Sequence, residues 1–138
     1  MTERSIWRNL RAPSLEDLEL LAAEAWQRLP QHFRNMCSDV VIRIEDFATD
    51  EVLRELGIQC PFDLMGLYQG VSLDRRSFSD VARQPDMVFL YRRAILDYWA
   101  DSDDTLGDIV THVLVHEIGH HFGFSDDDME RIEAAAKP

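Results

Sequence analysis

The stretch from Asp104 to Phe122, DTLGDIVTHVLVHEIGHHF, constrains this chain more than any other segment. At helical spacing, Val110, Leu114, Val115, Ile118 and Phe122 make it apolar nearly all round. A helix of that kind runs through the core of a domain rather than along its surface. Yet His112, His116 and His120 recur along one line of it, four residues apart. Imidazoles are costly to bury unless something partners their nitrogens. A metal ion is the partner that this residue type and spacing point to. The rest of the chain therefore has to cover an apolar helix while leaving one polar line on it open.

The chain has the means to do so. Its 138 residues are enough for one domain with a single core and no disulfides. With 46% hydrophobic and 29% charged residues it has the composition of an ordinary globular protein. No apolar run approaches the roughly 20 residues that span a bilayer, so no membrane partner is expected. The first residues, MTERSIWRNLRAPS, lack the apolar stretch of a secretory signal, which makes the cytoplasm the expected location. Cys37 and Cys60 are too few for a disulfide framework and are expected as reduced thiols. The net charge of −12 is concentrated late, at Asp101, Asp103, Asp104, Asp108, Asp126, Asp127, Asp128, Glu130 and Glu133. Such a field repels phosphates, so nucleic acid is not an expected partner, and it attracts cations and basic peptides.

Local patterns divide the chain into a loose amino-terminal arm, 1–13, and one domain, 14–138. Ser14 and Asp17 form a helix-capping pair ahead of Leu15, Leu18, Leu21, Ala22, Ala25 and Leu29. Pro30 interrupts that helix and starts a short second one from Gln31 to Met36. Asp39 to Phe47 alternates as a half-buried strand, and Asp50 to Leu56 reads as a helix stopped at Gly57. Leu64 to Leu73 is rich in strand formers but punctuated by Gly66 and Gly70, as at a bulge or a close backbone approach. Asp74 to Gln84 reads as loop. Met87 to Tyr91, MVFLY, is a second strand leading into a helix over RRAILDYW. Asp103 or Asp104 is expected to cap the histidine helix, and Gly123 to end it. Ser125 and Asp128 then cap a last helix through Ala136. The sum is an α+β domain with a small mixed sheet.

Within the histidine helix, His116, Glu117 and His120 spell His-Glu-Ile-Gly-His. His116 and His120 lie roughly 40° apart and one turn displaced, so both imidazoles reach one ion. Glu117 stands roughly 60° beyond His120, close enough to reach a water at the ion's open position without ligating the ion. Gly123 can turn the chain back, which brings Asp126 toward the same ion as a third ligand. Two nitrogens, one oxygen and one open position suit a single Zn²⁺ per chain. His112 is an alternative ligand or a supporting residue, His121 points away, and His32 has no companions.

The full string, HEIGHHFGFSD, resembles that of the zincin metallopeptidases, and more closely a family of minimal bacterial zincin-fold proteins of about this length. The GLYQG segment from Gly66 to Gly70 and the strand MVFLYRR carry the same resemblance, which extends over roughly residues 14 to 136. It implies an α+β zincin-like fold, Zn²⁺ on His116, His120 and Asp126, and Glu117 as general base. The implied activity is hydrolysis of a peptide or protein substrate, basic for preference, by a water that Glu117 activates. Substrate is expected to lie extended along an edge strand, for which Met87 to Tyr91 is the candidate. Tyr68 is either a donor to the oxyanion or a core residue. The chain departs from longer zincins in lacking their large second subdomain, and Met129 follows Asp126 too closely to form their methionine turn. Two other readings stay open: a non-catalytic zinc-binding or regulatory protein, and a metal-dependent endoribonuclease with histidines at similar offsets.

Overall fold

The histidine helix is α6, Leu106–His121, and the remaining elements are arranged around it. A computed structural model describes residues 3–70 and 86–138. Ahead of α6 come α1 (Glu3–Asn9), α2 (Leu15–Arg28), α3 (Gln31–Met36), β1 (Val41–Glu45) and α4 (Asp50–Leu56). A single 3-10 turn at Pro61–Asp63, β2 (Gly66–Gln69), β3 (Met87–Tyr91) and α5 (Arg92–Ala100) follow, and α7 (Asp126–Ala136) closes the described chain.

Local chemistry explains most of these boundaries. Ser14 accepts from the Asp17 N–H while the Asp17 carboxylate accepts from the Ser14 N–H, a reciprocal cap that starts α2. The same exchange between Ser125 and Asp128 starts α7. Gly57 and Gly123 hold φ of 71° and 74°, the left-handed conformation that stops α4 and turns the chain after α6. The cap of α6 is Thr105, whose hydroxyl accepts from the Asp108 N–H, not Asp103 or Asp104. An acidic run gives several candidate caps, and only the residue next to the first apolar position has the required geometry. The strand expected over Asp39 to Phe47 is shorter, and of Leu64 to Leu73 only Gly66–Gln69 is a described strand. The loop reading for Asp74 to Gln84 lies outside the described residues. The arm expected to carry no element contains α1, whose Trp7 is 72% exposed.

Three strands lie in the order β1-β3-β2, with β3 parallel to β1 and antiparallel to β2. This corrects the sequence reading of Met87 to Tyr91 as an edge strand. Its near-continuous apolar run is the mark of a strand covered on both faces, and Val88, Leu90 and Tyr91 are all buried. Among the described residues, β2 is the outermost strand on the antiparallel side.

One core forms where α6 packs against α2, α7 and strands β2 and β3. Leu18, Ala22 and Ala25 of α2 meet Val110, Leu114, Val115 and Ile118 of α6, with Val88 and Leu90 below and Met129 and Ile132 beyond. At Gly119 the helices α6 and α7 approach so closely that a Cβ would lie 2.8 Å from Met129 Cγ. Cys37 is buried and Cys60 exposed, and both are free thiols. No helix of the described residues is long and apolar enough to cross a membrane.

Candidate metal centre

The turn at Gly123 folds α7 back along α6, so the line of histidines faces the first turns of the last helix. His112, His116 and His120 form a continuous column: ring centroids lie 4.0 Å apart for the first pair and 5.7 Å, edge-on, for the second. His116 sits in the middle and is the more covered, its side chain 25% exposed against 52% for His112. Burial holds the His116 imidazole below the ordinary histidine range, His112 beside it adds to the effect, and the carboxylate of Glu133 opposes it. The neutral imidazole so favoured is the form that binds a metal.

Glu117 leaves α6 on a different side, toward β2. Its half-buried carboxyl is raised above the ordinary glutamate range by burial, with His120 and the Tyr68 backbone N–H opposing the shift. Gly66 allows this approach: a Cβ there would lie 2.6 Å from Val113 Cγ1 and 3.1 Å from Glu117 Cγ. The glycine in the GLYQG segment thus marks the place where the strand meets the histidine helix, the close approach its position suggested. Glu117 stands beside the column without belonging to it.

Asp126 is the first residue of α7 and is exposed, near enough for its charge to be felt at His116. His120 is also exposed. Among the described residues, the donor atoms that converge within 4.8 Å of one another are those of His112, His116 and Glu133, without His120 or Asp126. Glu133 is a residue that sequence reasoning missed as a donor. It sits seven positions, two helical turns, after Asp126, and that offset placed it on the same side of α7 as Asp126.

Its Oε1 lies 2.9 Å from His112 Nδ1 and 3.2 Å from His116 Nε2. That oxygen is buried and makes no aligned hydrogen bond to either nitrogen. A buried carboxylate oxygen left without an aligned donor, facing two imidazoles, fits a site built for a cation. The donor types, nitrogen and carboxylate oxygen, are those zinc takes.

Tyr68 packs against the core, stacks on His121 at 3.9 Å, and donates from its hydroxyl to Asp86 at 2.9 Å. His121 is therefore exposed on the strand side of α6 rather than in the column.

A scan of protein families matches residues 37–136 to the zincin-like metallopeptidases. The chain belongs to that family. The match runs from the end of α3 to the end of α7 and so contains the sheet, the column and Glu117. No curated protein matches the chain. The zincin-like fold carries the α+β architecture expected from the sequence.

Proposed function

We propose that this zincin-like protein is a zinc-dependent peptide hydrolase in which His116, His120 and Asp126 hold one Zn²⁺ and Glu117 is the general base. The observation that carries the reading is the placement of Glu117. It leaves the helix of His116 and His120 yet turns to β2, where the Tyr68 N–H holds its carboxylate. A base held by strand backbone next to a pair of imidazoles is positioned for proton transfer rather than for ligation.

When bound, Zn²⁺ supplies a Lewis acid that polarises the scissile carbonyl and offsets charge developing on its oxygen. Glu117 accepts a proton from the attacking water and returns it to the leaving amine. His116 and His120 contribute neutral nitrogens, and Asp126 contributes the negative charge that a divalent cation favours. Strand β2, the outermost on its side among the described residues, is the candidate to align an extended peptide by backbone pairing. The acidic residues around Asp101 to Glu133 favour substrates with Arg or Lys near the scissile bond, a preference that shrinks as salt rises. The same field disfavours RNA.

The test is hydrolysis of a peptide library by the zinc-loaded protein beside its Glu117→Gln variant, with structured RNA as a second substrate. Glu117→Gln keeps size and leaves the ligands intact, so zinc content and melting temperature are expected to stay unchanged. Peptide turnover is expected to fall by at least ~10²-fold, as for a lost general base. Loss of zinc in the variant would make Glu117 a ligand. Zinc-dependent RNA cleavage lost in the variant would replace the peptidase reading with a nuclease.

A further inference from the structure

The column of histidines contains two pairs at a spacing of four, and they share His116. The pair His116–His120 lies toward Gly123 and the pair His112–His116 toward the start of α6. Because α7 runs back along α6, it offers one carboxylate to each end, Asp126 at its first position and Glu133 two turns on. The sequence thus repeats one donor pattern, two imidazoles and a carboxylate, along the helix pair.

We propose that His112, His116 and Glu133 form a second position for a divalent cation of the Zn²⁺ class, distinct from the one on His116, His120 and Asp126. Two distances support it. Bonds of 2.0–2.2 Å around one ion place neighbouring donor atoms about 2.8–3.1 Å apart at octahedral angles and about 3.3–3.6 Å apart at tetrahedral ones. Glu133 Oε1 lies 2.9 Å from His112 Nδ1 and 3.2 Å from His116 Nε2, close to the octahedral spacing and shorter than the tetrahedral one. A simple ion pair would aim at least one N–H at the oxygen, and neither imidazole does. The three donor atoms lie within 4.8 Å of one another.

The surroundings set what this position does. A cavity of about 390 Å³ has His112 and Glu133 in its wall, together with Asp104, Asp108 and Thr111. It has room for water to complete a coordination sphere, and its three carboxylates outnumber the Arg28 and Lys137 side chains that also line it. Glu117, His120 and Asp126 are not in that wall. Because its donors come from both helices, an ion at this position ties α6 to α7. A nitrogen lone pair holds one ion at a time, so occupancy here takes Nε2 of His116.

The experiment removes one set and asks whether the other still binds. Co²⁺ is titrated into the His120→Ala protein, and into His120→Ala/Glu133→Gln, with visible absorption reporting coordination and far-UV circular dichroism reporting fold. The expected result is one Co²⁺ per His120→Ala chain with a ligand-field spectrum, weakened by ~10²-fold or more when Glu133 becomes Gln. If His120→Ala does not fold, Asp126→Asn serves as the background and the same pair of results is expected. A folded background variant that takes up no Co²⁺ overturns the proposal. So does uptake that Glu133→Gln leaves unchanged. Peptide turnover plays no part in this readout, so failure of the hydrolase reading would leave the outcome intact, and the reverse holds as well.

Discussion

The two ends of the α6–α7 pair carry the same kinds of donor and differ in what stands next to them. Toward Gly123, the imidazoles adjoin Glu117, strand β2 and the Tyr68 N–H. Toward Thr105, they adjoin Glu133 and a cavity whose wall holds Asp104 and Asp108 together with Arg28 and Lys137. Each of the two proposed metal positions takes two imidazoles at a spacing of four and a carboxylate from the next helix. Chemistry needs something more, a proton acceptor held by an element other than the metal-binding helix. In the proposed mechanism that acceptor is Glu117, beside β2.

The change that breaks both ends at once is His116→Ala. His116 is the one imidazole common to the two sets, so its loss leaves each with two donors from different helices. Metal affinity is expected to fall by well over ~10²-fold, beyond what loss of a supporting partner costs. Competition against a chromophoric chelator measures it. Retention of tight binding in a folded His116→Ala protein would mean that neither set describes the metal's position.

A smaller effect separates the ends. Gly66 and Gly119 both lie where α6 is approached too closely for a side chain, by β2 in one case and by Met129 of α7 in the other. Alanine at either position overpacks the core and is expected to cost about 1–3 kcal/mol, seen as a melting temperature lower by several degrees. At Gly66 the obstructing atoms include Glu117 Cγ at 3.1 Å and the Phe89 carbonyl oxygen at 3.2 Å. Gly66→Ala is therefore expected to reduce hydrolysis more than Gly119→Ala does at equal loss of stability, with zinc content unchanged. Equal activities in the two variants would show that the contact between β2 and Glu117 does not position the base.

Much of this arrangement was readable before any coordinates. Caps such as Ser14 with Asp17, and stops such as Gly57 and Gly123, act over three or four residues, so their chemistry is local and so is their signal. The column of histidines and Glu117 were readable for the same reason, since one helix fixes their mutual directions. What depended on packing between elements was not. Strand order is set by which strands find partners, and the MVFLY run was readable as a strand but was placed at an edge rather than in the middle. Glu133 was counted only as surface charge, because its role depends on how far α7 runs back along α6. Its offset of seven from Asp126 was the available signal, and it has meaning only once two helices are known to pack.

The smallest expected effect tests whether the two ends are coupled through α7 itself. Ser14 and Ser125 make the same reciprocal cap, one at the start of α2 and one at the start of α7. Replacing either by Ala removes one side-chain acceptor for an orphan N–H and is expected to cost about 1 kcal/mol of stability. The consequences for metal differ because Asp126 is the residue that follows Ser125, whereas no proposed donor lies in α2. Fraying of the first turn of α7 loosens Asp126 and leaves Glu133, two turns further on, in place. Ser125→Ala is thus expected to weaken zinc binding a few-fold at the Asp126 end while the Co²⁺ spectrum of the His120→Ala background stays as it was. Ser14→Ala should lower the melting temperature by a similar amount and leave both metal readouts alone. Weakening of the Glu133 position by Ser125→Ala would mean that α7 frays as a unit and couples the two positions beyond their shared His116. Equal loss of zinc in both serine variants would mean that stability alone, rather than the placement of Asp126, sets the affinity.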